Sequence, residues 1–144
     1  MRDALVVFTM DWHPANHSQF KINGGIWPVH CVQGTPGAQL VSGLDVPADA
    51  EIVKKGTQPG EDGYSGFEGV NDHGNSLLEI LRAHAVRRVY VCGIATDYCV
   101  LATALDAVKE GYEVHVLPDL IAGVDASTST KAIEQMKANG VKIY

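Results

Sequence analysis

Cys99 lies in the run Gly93-Ile94-Ala95-Thr96-Asp97-Tyr98-Cys99, after an apolar strand-like stretch and at the start of an amphipathic helical pattern. The first turn of a helix offers backbone N–H groups without intrahelical partners and a partial positive charge. Both favour a thiolate, the reactive form of the side chain. A thiolate there could attack a carbonyl carbon, with the oxyanion held by the N–H groups of Cys99 and of a turn residue such as Ala95. The other reading of Cys99 is a small buried helix residue, the usual fate of a cysteine outside a disulfide.

Asp11 and His13 alternate along the chain and point the same way in extended backbone. His17 and His30 lie on the adjoining loop, and one carboxylate with two or three imidazoles suits Zn²⁺, Fe²⁺ or Mn²⁺. The alternative is a set of solvated or hydrogen-bonded histidines at a strand end. Cys31 adjoins His30 but faces the other way in extended chain, which assigns it to the interior. Cys92, within a strand, is expected to be buried as well. Lys55 precedes Gly56, where backbone can pass close to a ligand. It is either a cation that lowers a thiol pKa and stabilises developing negative charge or a surface lysine like its neighbour Lys54. Trp27, Tyr64 and Phe67 lie in Gly-rich loops, either packing them down or walling a flat aromatic ligand by stacking.

The elements that must position these groups follow from periodicity. Residues 4–10 form a continuous apolar, β-branched run, as in a strand buried on both faces. Residues 11–43 are punctuated by Pro and Gly and read as a long functional loop. Residues 50–54 are a short strand, 75–84 a helix and 88–93 a second strong strand. Thr96 or Asp97 caps a helix running to about Lys109, with Val100, Leu101, Ala104, Leu105 and Val108 as its apolar stripe. Residues 113–117 form a strand closed by Pro118, Ser127 or Thr128 starts a last helix, and residues 141–144 are a final strand. This alternation predicts a parallel α/β sheet with helices on both faces, whose ligands bind beyond the carboxyl ends of the strands.

The 144 residues are expected to form one domain, with 46% apolar and 19% charged residues. Seventeen acidic against eleven basic residues give a formal charge of −6 and no basic stripe, which argues against nucleic acid as a partner. No apolar run approaches the roughly 20 residues of a membrane helix, and the N-terminal run has no signal-peptide cleavage pattern. Three widely spaced cysteines are no disulfide framework and point to a reduced, cytoplasmic setting.

Taken together the motifs resemble the nicotinamidase/pyrazinamidase group of the cysteine-hydrolase, isochorismatase-like superfamily. The matching runs are Asp11-Trp12-His13-Pro14-Ala15-Asn16-His17, Gly25-Ile26-Trp27-Pro28-Val29-His30-Cys31-Val32-Gln33-Gly34-Thr35-Pro36-Gly37, Lys55-Gly56-Thr57, Tyr64-Ser65-Gly66-Phe67 and Gly93-Ile94-Ala95-Thr96-Asp97-Tyr98-Cys99-Val100, in the family's order. The resemblance implies a three-layer α/β/α fold with a mainly parallel sheet. It implies hydrolysis of nicotinamide, and of pyrazinamide, to the acid and ammonia through a thioester. Cys99 matches the nucleophile and Lys55 the catalytic lysine, while Ala95 and Cys99 match the oxyanion-hole donors. Asp11, His13 and His30 match the ligands of one divalent ion, zinc ahead of iron or manganese, and His17 matches a further metal-contacting histidine. Trp27, Tyr64, Ile94 and Tyr98 fall to the substrate pocket, and the Ile94–Ala95 bond corresponds to a cis peptide. The partner implied is a small nicotinamide-like molecule, and a homo-oligomer is compatible with it.

One departure stands out. The family carries a catalytic aspartate at the end of a first, central strand, in a run like Asp-x-Gln-x-Asp-Phe, and these 144 residues contain no such run. The chain is therefore expected to open at the family's second strand, leaving a gap between residues 4–10 and 88–93. A shortened sequence accounts for this more simply than an inactive relative or a strand supplied by a partner. Asp97 and Asp119 are the later carboxylates weighed as substitutes. Two other functions stay open: a domain that binds metal or ligand without turnover, and a different amidase of the superfamily, against which the 11–37 loop argues.

Overall fold

The computed structural model describes residues 4–144. The chain divides into two compact units. One holds the described residues up to Gly63 together with Glu68–Leu77, and the other holds Tyr64–Phe67 and Leu78–Tyr144. The strands are hydrogen-bonded as two parallel sheets, and residues 7–11 and 88–94 fall in different ones, in keeping with the gap expected between them.

In the first unit β1 (Val7–Asp11) pairs in parallel with β2 (Glu51–Lys55), from Val7 opposite Glu51 to Asp11 opposite Lys55. β1 starts later than the apolar run suggested, because Val6 is partly exposed and only its carbonyl takes part, accepting the Glu51 N–H. Parallel strands need a long crossover, usually a helix. Here the crossover is the Gly/Pro-rich loop, whose regular structure is limited to 3₁₀ turns at Lys21–Asn23 and Pro36–Ala38. It folds around Phe20, which is fully buried. A second loop after β2 returns to pair Val70 with Lys54 in an antiparallel bridge.

In the second unit α1 (Leu77–Ala83, whose first residue belongs to the other unit) precedes β3 (Arg88–Ile94). α2 (Leu101–Lys109), β4 (Glu113–Ala122), α3 (Ala126–Ala138) and β5 (Lys142–Ile143) follow, in the parallel order β3-β4-β5. One sheet face carries Val89, Val91, Val114, Val116 and Ile143, packed with Val100, Ala104 and Ala107 from the segment leading through α2 and with Met136 of α3. The other face carries Tyr90 and His115, whose rings stack at 4.8 Å. Cys92 shares the parity of Tyr90 and is exposed, contrary to its expected burial.

Three local expectations change. Pro118 does not end β4: the ladder shifts between Val91 opposite Val116 and Gly93 opposite Ile121, and Pro118 sits in that bulge, where its missing N–H breaks no pair. The last helix starts at Ala126 because Asp125 caps it, accepting the N–H groups of Ser127 (2.9 Å) and Thr128 (3.1 Å). Neither Thr96 nor Asp97 caps the helix after β3. Its first turn, Thr96–Val100, is a π turn with Ala95 as N-cap, and α2 proper begins at Leu101.

Asp97 is committed elsewhere. One carboxylate oxygen accepts the Val124 N–H (3.0 Å); the other accepts the Asp125 N–H (3.1 Å) and the Thr128 hydroxyl (2.7 Å). Burial opposes its charge, but the bonds from Thr128, Val124 and Asp125 outweigh burial and hold the carboxyl below its ordinary range. This ties the π turn to the β4–α3 loop. Asp97→Asn keeps the volume but aims an amide NH₂ at donors, which is expected to cost about 2–3 kcal/mol at pH 7 in urea unfolding. Because the folded-state pKa lies below the ordinary 3.8, the contribution is complete above that value and is lost as pH falls through the folded pKa. The gap between wild type and variant should therefore shrink below about pH 3.8, and a gap constant down to pH 2.5 would refute the role of the charge.

Candidate active site

The parallel register fixes the first pair of groups. Asp11 and Lys55 end their strands as direct neighbours, and the Lys55 ammonium donates to Asp11 Oδ1 at 2.5 Å and to the Gly63 carbonyl at 2.6 Å. Lys55 is only 3% exposed, so the surface-lysine reading does not apply to it. Lys54 is the surface lysine of the two, paired with Asp72 at 2.8 Å and lying 4.8 Å from the Trp12 ring.

His13 and His30 reach Asp11 through backbone pairing of the loop. The His13 N–H donates to the Cys31 carbonyl (2.9 Å), and the Gln33 N–H returns to the His13 carbonyl (2.8 Å), which sets His30 beside His13. Ligand atoms of Asp11, His13 and His30 lie within 4.8 Å of one another. A carbonyl can only accept, so the contacts of His13 Nδ1 to the Gly56 carbonyl (2.8 Å) and of His30 Nδ1 to the Pro28 carbonyl (2.7 Å) fix Nδ1 as the protonated nitrogen in both rings. Nε2 is left as the lone-pair donor, and in His13 it stands 3.8 Å from Asp11 Oδ2. Outer hydrogen bonds of this kind orient metal-binding imidazoles. Burial pushes the His13 pKa down, against the opposing Gly56 bond, so the ring is neutral as a ligand must be. One carboxylate and two imidazoles, each with Nδ1 committed to a backbone carbonyl, fit a divalent transition ion.

His17 packs against this set without joining it. Its ring centre is 4.3 Å from that of His13, and burial, then the neighbouring histidines, lower its pKa. Its Nδ1 accepts the Gln19 N–H (3.3 Å), which puts the proton on Nε2, a buried atom with no partner among the described residues. Trp27 stands at the rim, 6.2 Å from the His30 ring.

The second unit holds the remaining predicted residues. The Ile94–Ala95 peptide is cis. The Ala95 carbonyl accepts the N–H groups of Tyr98 (3.1 Å) and Val100 (3.0 Å), closing the π turn that carries the half-buried Cys99. With Ala95 as N-cap, Cys99 is the fourth helical residue instead of the third, still within the first turn. Tyr64 and Tyr98 lie with ring centres 5.4 Å apart, and the Gly66 N–H donates to Thr103 Oγ1 at 2.9 Å, which docks the Tyr64 segment on α2. Ile94 is 78% exposed.

Sequence reasoning missed the residues that brace the two imidazoles. Phe20 meets His13 and His30 edge-on at 5.8 and 5.4 Å. The Gln33 side-chain amide donates to the carbonyls of Trp12 (2.9 Å) and Thr57 (3.0 Å), cross-linking the loops after β1 and β2. An aromatic within a Gly/Pro-rich loop is a signal for the first; nothing local signals the second. Gly56 is also exact in its demand: its φ is +60°, and an added Cβ would lie 2.5 Å from His13 Cε1. Gly56→Ala should therefore displace the His13 ring and weaken zinc binding by about 10–100-fold in calorimetric titration. Gly24→Ala, at another positive φ but in open space, should leave it unchanged. Equal affinities in the two variants would refute the orienting role of the Gly56 contact.

Residues 2–144 match the family described as the Isochorismatase domain. The chain is 46% identical over 141 residues to the nicotinamidase/pyrazinamidase of Mycobacterium tuberculosis, a match covering 96% of this chain and 75% of that protein. It is 38% identical over 161 residues to the nicotinamidase of Escherichia coli, covering 99% and 76%. Among solved structures it resembles the pyrazinamidase of Pyrococcus horikoshii in complex with zinc, with TM-score 0.89, 52% identity and coverage of 98% and 75%. PnC1 from L. infantum in complex with nicotinate gives TM-score 0.89 at 44% identity, covering 97% and 71%. With the strand-end donor set and the cysteine-bearing turn in place, these matches establish that the chain belongs to the isochorismatase domain family and is a homologue of the nicotinamidases and pyrazinamidases within it.

Proposed function

We propose that the chain is a metal-dependent cysteine amidase, working as one domain in the cytoplasm, that hydrolyses nicotinamide and pyrazinamide to the carboxylic acid and ammonia. The observation that carries this reading is the Asp11–His13–His30 cluster with both imidazole tautomers fixed by backbone carbonyls. These residues would hold one divalent ion, zinc ahead of iron or manganese, with His17 contributing at its edge. Bound there, the ion supplies a Lewis acid for a heteroaromatic nitrogen or for water.

The covalent work falls to Cys99. Its sulfur adds to the amide carbon, and the oxyanion is held by the N–H groups of Ala95 and Cys99. The C–N bond breaks, the nitrogen leaves as ammonia carrying the thiol's proton, and a thioester remains. Water then adds to the thioester carbon and the C–S bond breaks, returning the thiol and releasing the acid. The resemblance assigns fixed positive charge to the Lys55 ammonium and the walls of a flat-ring pocket to Trp27, Tyr64, Ile94 and Tyr98.

A second reading, metal or ligand binding without turnover, draws support from Asp97: both its oxygens are engaged by the β4–α3 loop, so it is no general base. The two readings separate in one experiment. With zinc supplied, nicotinamide should yield ammonia, and Cys99→Ala should lower the rate by roughly a thousand-fold or more. His13→Ala should abolish both zinc uptake and turnover. Zinc uptake that needs Asp11 and His13, with no ammonia even at high protein concentration, would overturn the nicotinamide reading in favour of binding.

A further inference from the structure

Lys55 is held from a direction that none of the predicted site residues explains. Its ammonium donates to the Gly63 carbonyl as well as to Asp11, and Gly63 lies in a loop without strand or helix. Gly63 has no room for a side chain: its φ is +70°, and an added Cβ would stand 2.8 Å from Gly56 Cα and 3.4 Å from His13 Cε1. What fixes it is Glu68, whose Oε2 accepts the Gly63 N–H at 3.0 Å.

Glu68 can serve as an anchor because its own backbone is pinned. It ends the 3₁₀ turn Gly66–Glu68, and two residues later Val70 exchanges both backbone bonds with Lys54, at 2.9 and 3.1 Å. Gly69, between them, lies where an added Cβ would strike Val53 and the Lys54 carbonyl. The contacts form a closed circuit: β2 carries Lys55, the neighbouring Lys54 grips Val70, Glu68 grips Gly63, and Gly63 grips Lys55. We propose that Glu68 is a positioning residue for Lys55, acting through the Gly63 backbone to set the direction of the ammonium. Glu68 also bonds Asp62, and burial together with that carboxyl–carboxyl contact raises its pKa. An acceptor toward Gly63 and a donor toward Asp62 is a pattern that a glutamine reproduces and an alanine does not.

The role in turnover rests on the amidase reading; the positioning itself does not, so the two are tested apart. The variants are Glu68→Ala and Glu68→Gln in the full chain. Hydrogen exchange reads the Gly63 amide, and mass spectrometry reads acetylation of Lys55 by acetic anhydride. Glu68→Ala should speed Gly63 exchange and Lys55 acetylation by about ten-fold each, the size expected for one lost hydrogen bond, and Glu68→Gln should restore both toward wild type. Zinc affinity should stay within about two-fold of wild type in both variants, because Glu68 touches none of the metal ligands. In nicotinamide hydrolysis, Glu68→Ala should lower kcat by about ten-fold with KM nearly unchanged, and Glu68→Gln should recover it. Unchanged Gly63 exchange or Lys55 acetylation in Glu68→Ala would overturn the proposal, as would a glutamine variant no better than the alanine one. A wild-type chain that releases no ammonia counts against the amidase reading alone, and the exchange and acetylation results still decide the role of Glu68.

Discussion

A lysine ammonium that is 3% exposed must be neutralised and hydrogen-bonded where it sits, and the first unit is arranged around that requirement. The in-register parallel pairing of β1 and β2 brings Asp11 to Lys55, and the Gly63 carbonyl is a further acceptor. Removing one partner of such a buried pair typically costs about 3–5 kcal/mol, because the other charge is stranded. The same carboxylate faces His13 with its second oxygen. One side chain therefore anchors the buried cation and contributes to the donor set, and its position is set by strand register before any loop residue is considered.

The histidines depend on a different device. The loop joining β1 to β2 has no α-helix to hold it, so its order comes from backbone groups paired across the loop and from a few side chains that bond backbone. His13 and His30 each spend one ring nitrogen on a carbonyl, which orients the ring and selects the tautomer in one contact. Phe20 packs edge-on against both rings, and Gln33 ties the loops after the two strands together. Burial then keeps His13 and His17 neutral by disfavouring the charged form. Gly56 is where these demands meet, since its carbonyl accepts from His13 and its α-carbon leaves the space that ring occupies.

What could be read from sequence follows the range of the physics. Asp11 and His13 were legible because alternation in an extended chain is local, and the Cys99 turn because a strand running into a helix leaves a periodic trace. The motif runs extended this to His30 and Lys55, which periodicity alone could not assign. Pro118 misled because a proline normally closes a strand, whereas here the irregular stretch of β4 between Val116 and Ile121 absorbs it. Cys92 misled because a β-branched run reads as buried on both faces, while β3 has one face turned toward exposed Tyr90. Gln33, Gly63 and Glu68 were invisible because their contacts span loops with no pattern of their own.

Asp97 shows how occupancy decides what a carboxylate does. From sequence it reads as a helix cap or a stand-in base, both plausible for an acidic residue two positions before Cys99. In the fold it accepts from Val124, Asp125 and Thr128, and those bonds keep it ionised despite its burial. A general base must have a lone pair directed at the proton it takes and a pKa near the working pH. Asp97 has neither, since its oxygens point into the β4–α3 loop and its pKa moves away from neutrality. Its contribution to Cys99 is mechanical: it fastens the π turn to the element that follows, so that the turn's backbone is held by the fold and not by its own capping. A carboxylate two positions from Cys99 in sequence is thus spent on geometry and not on proton transfer.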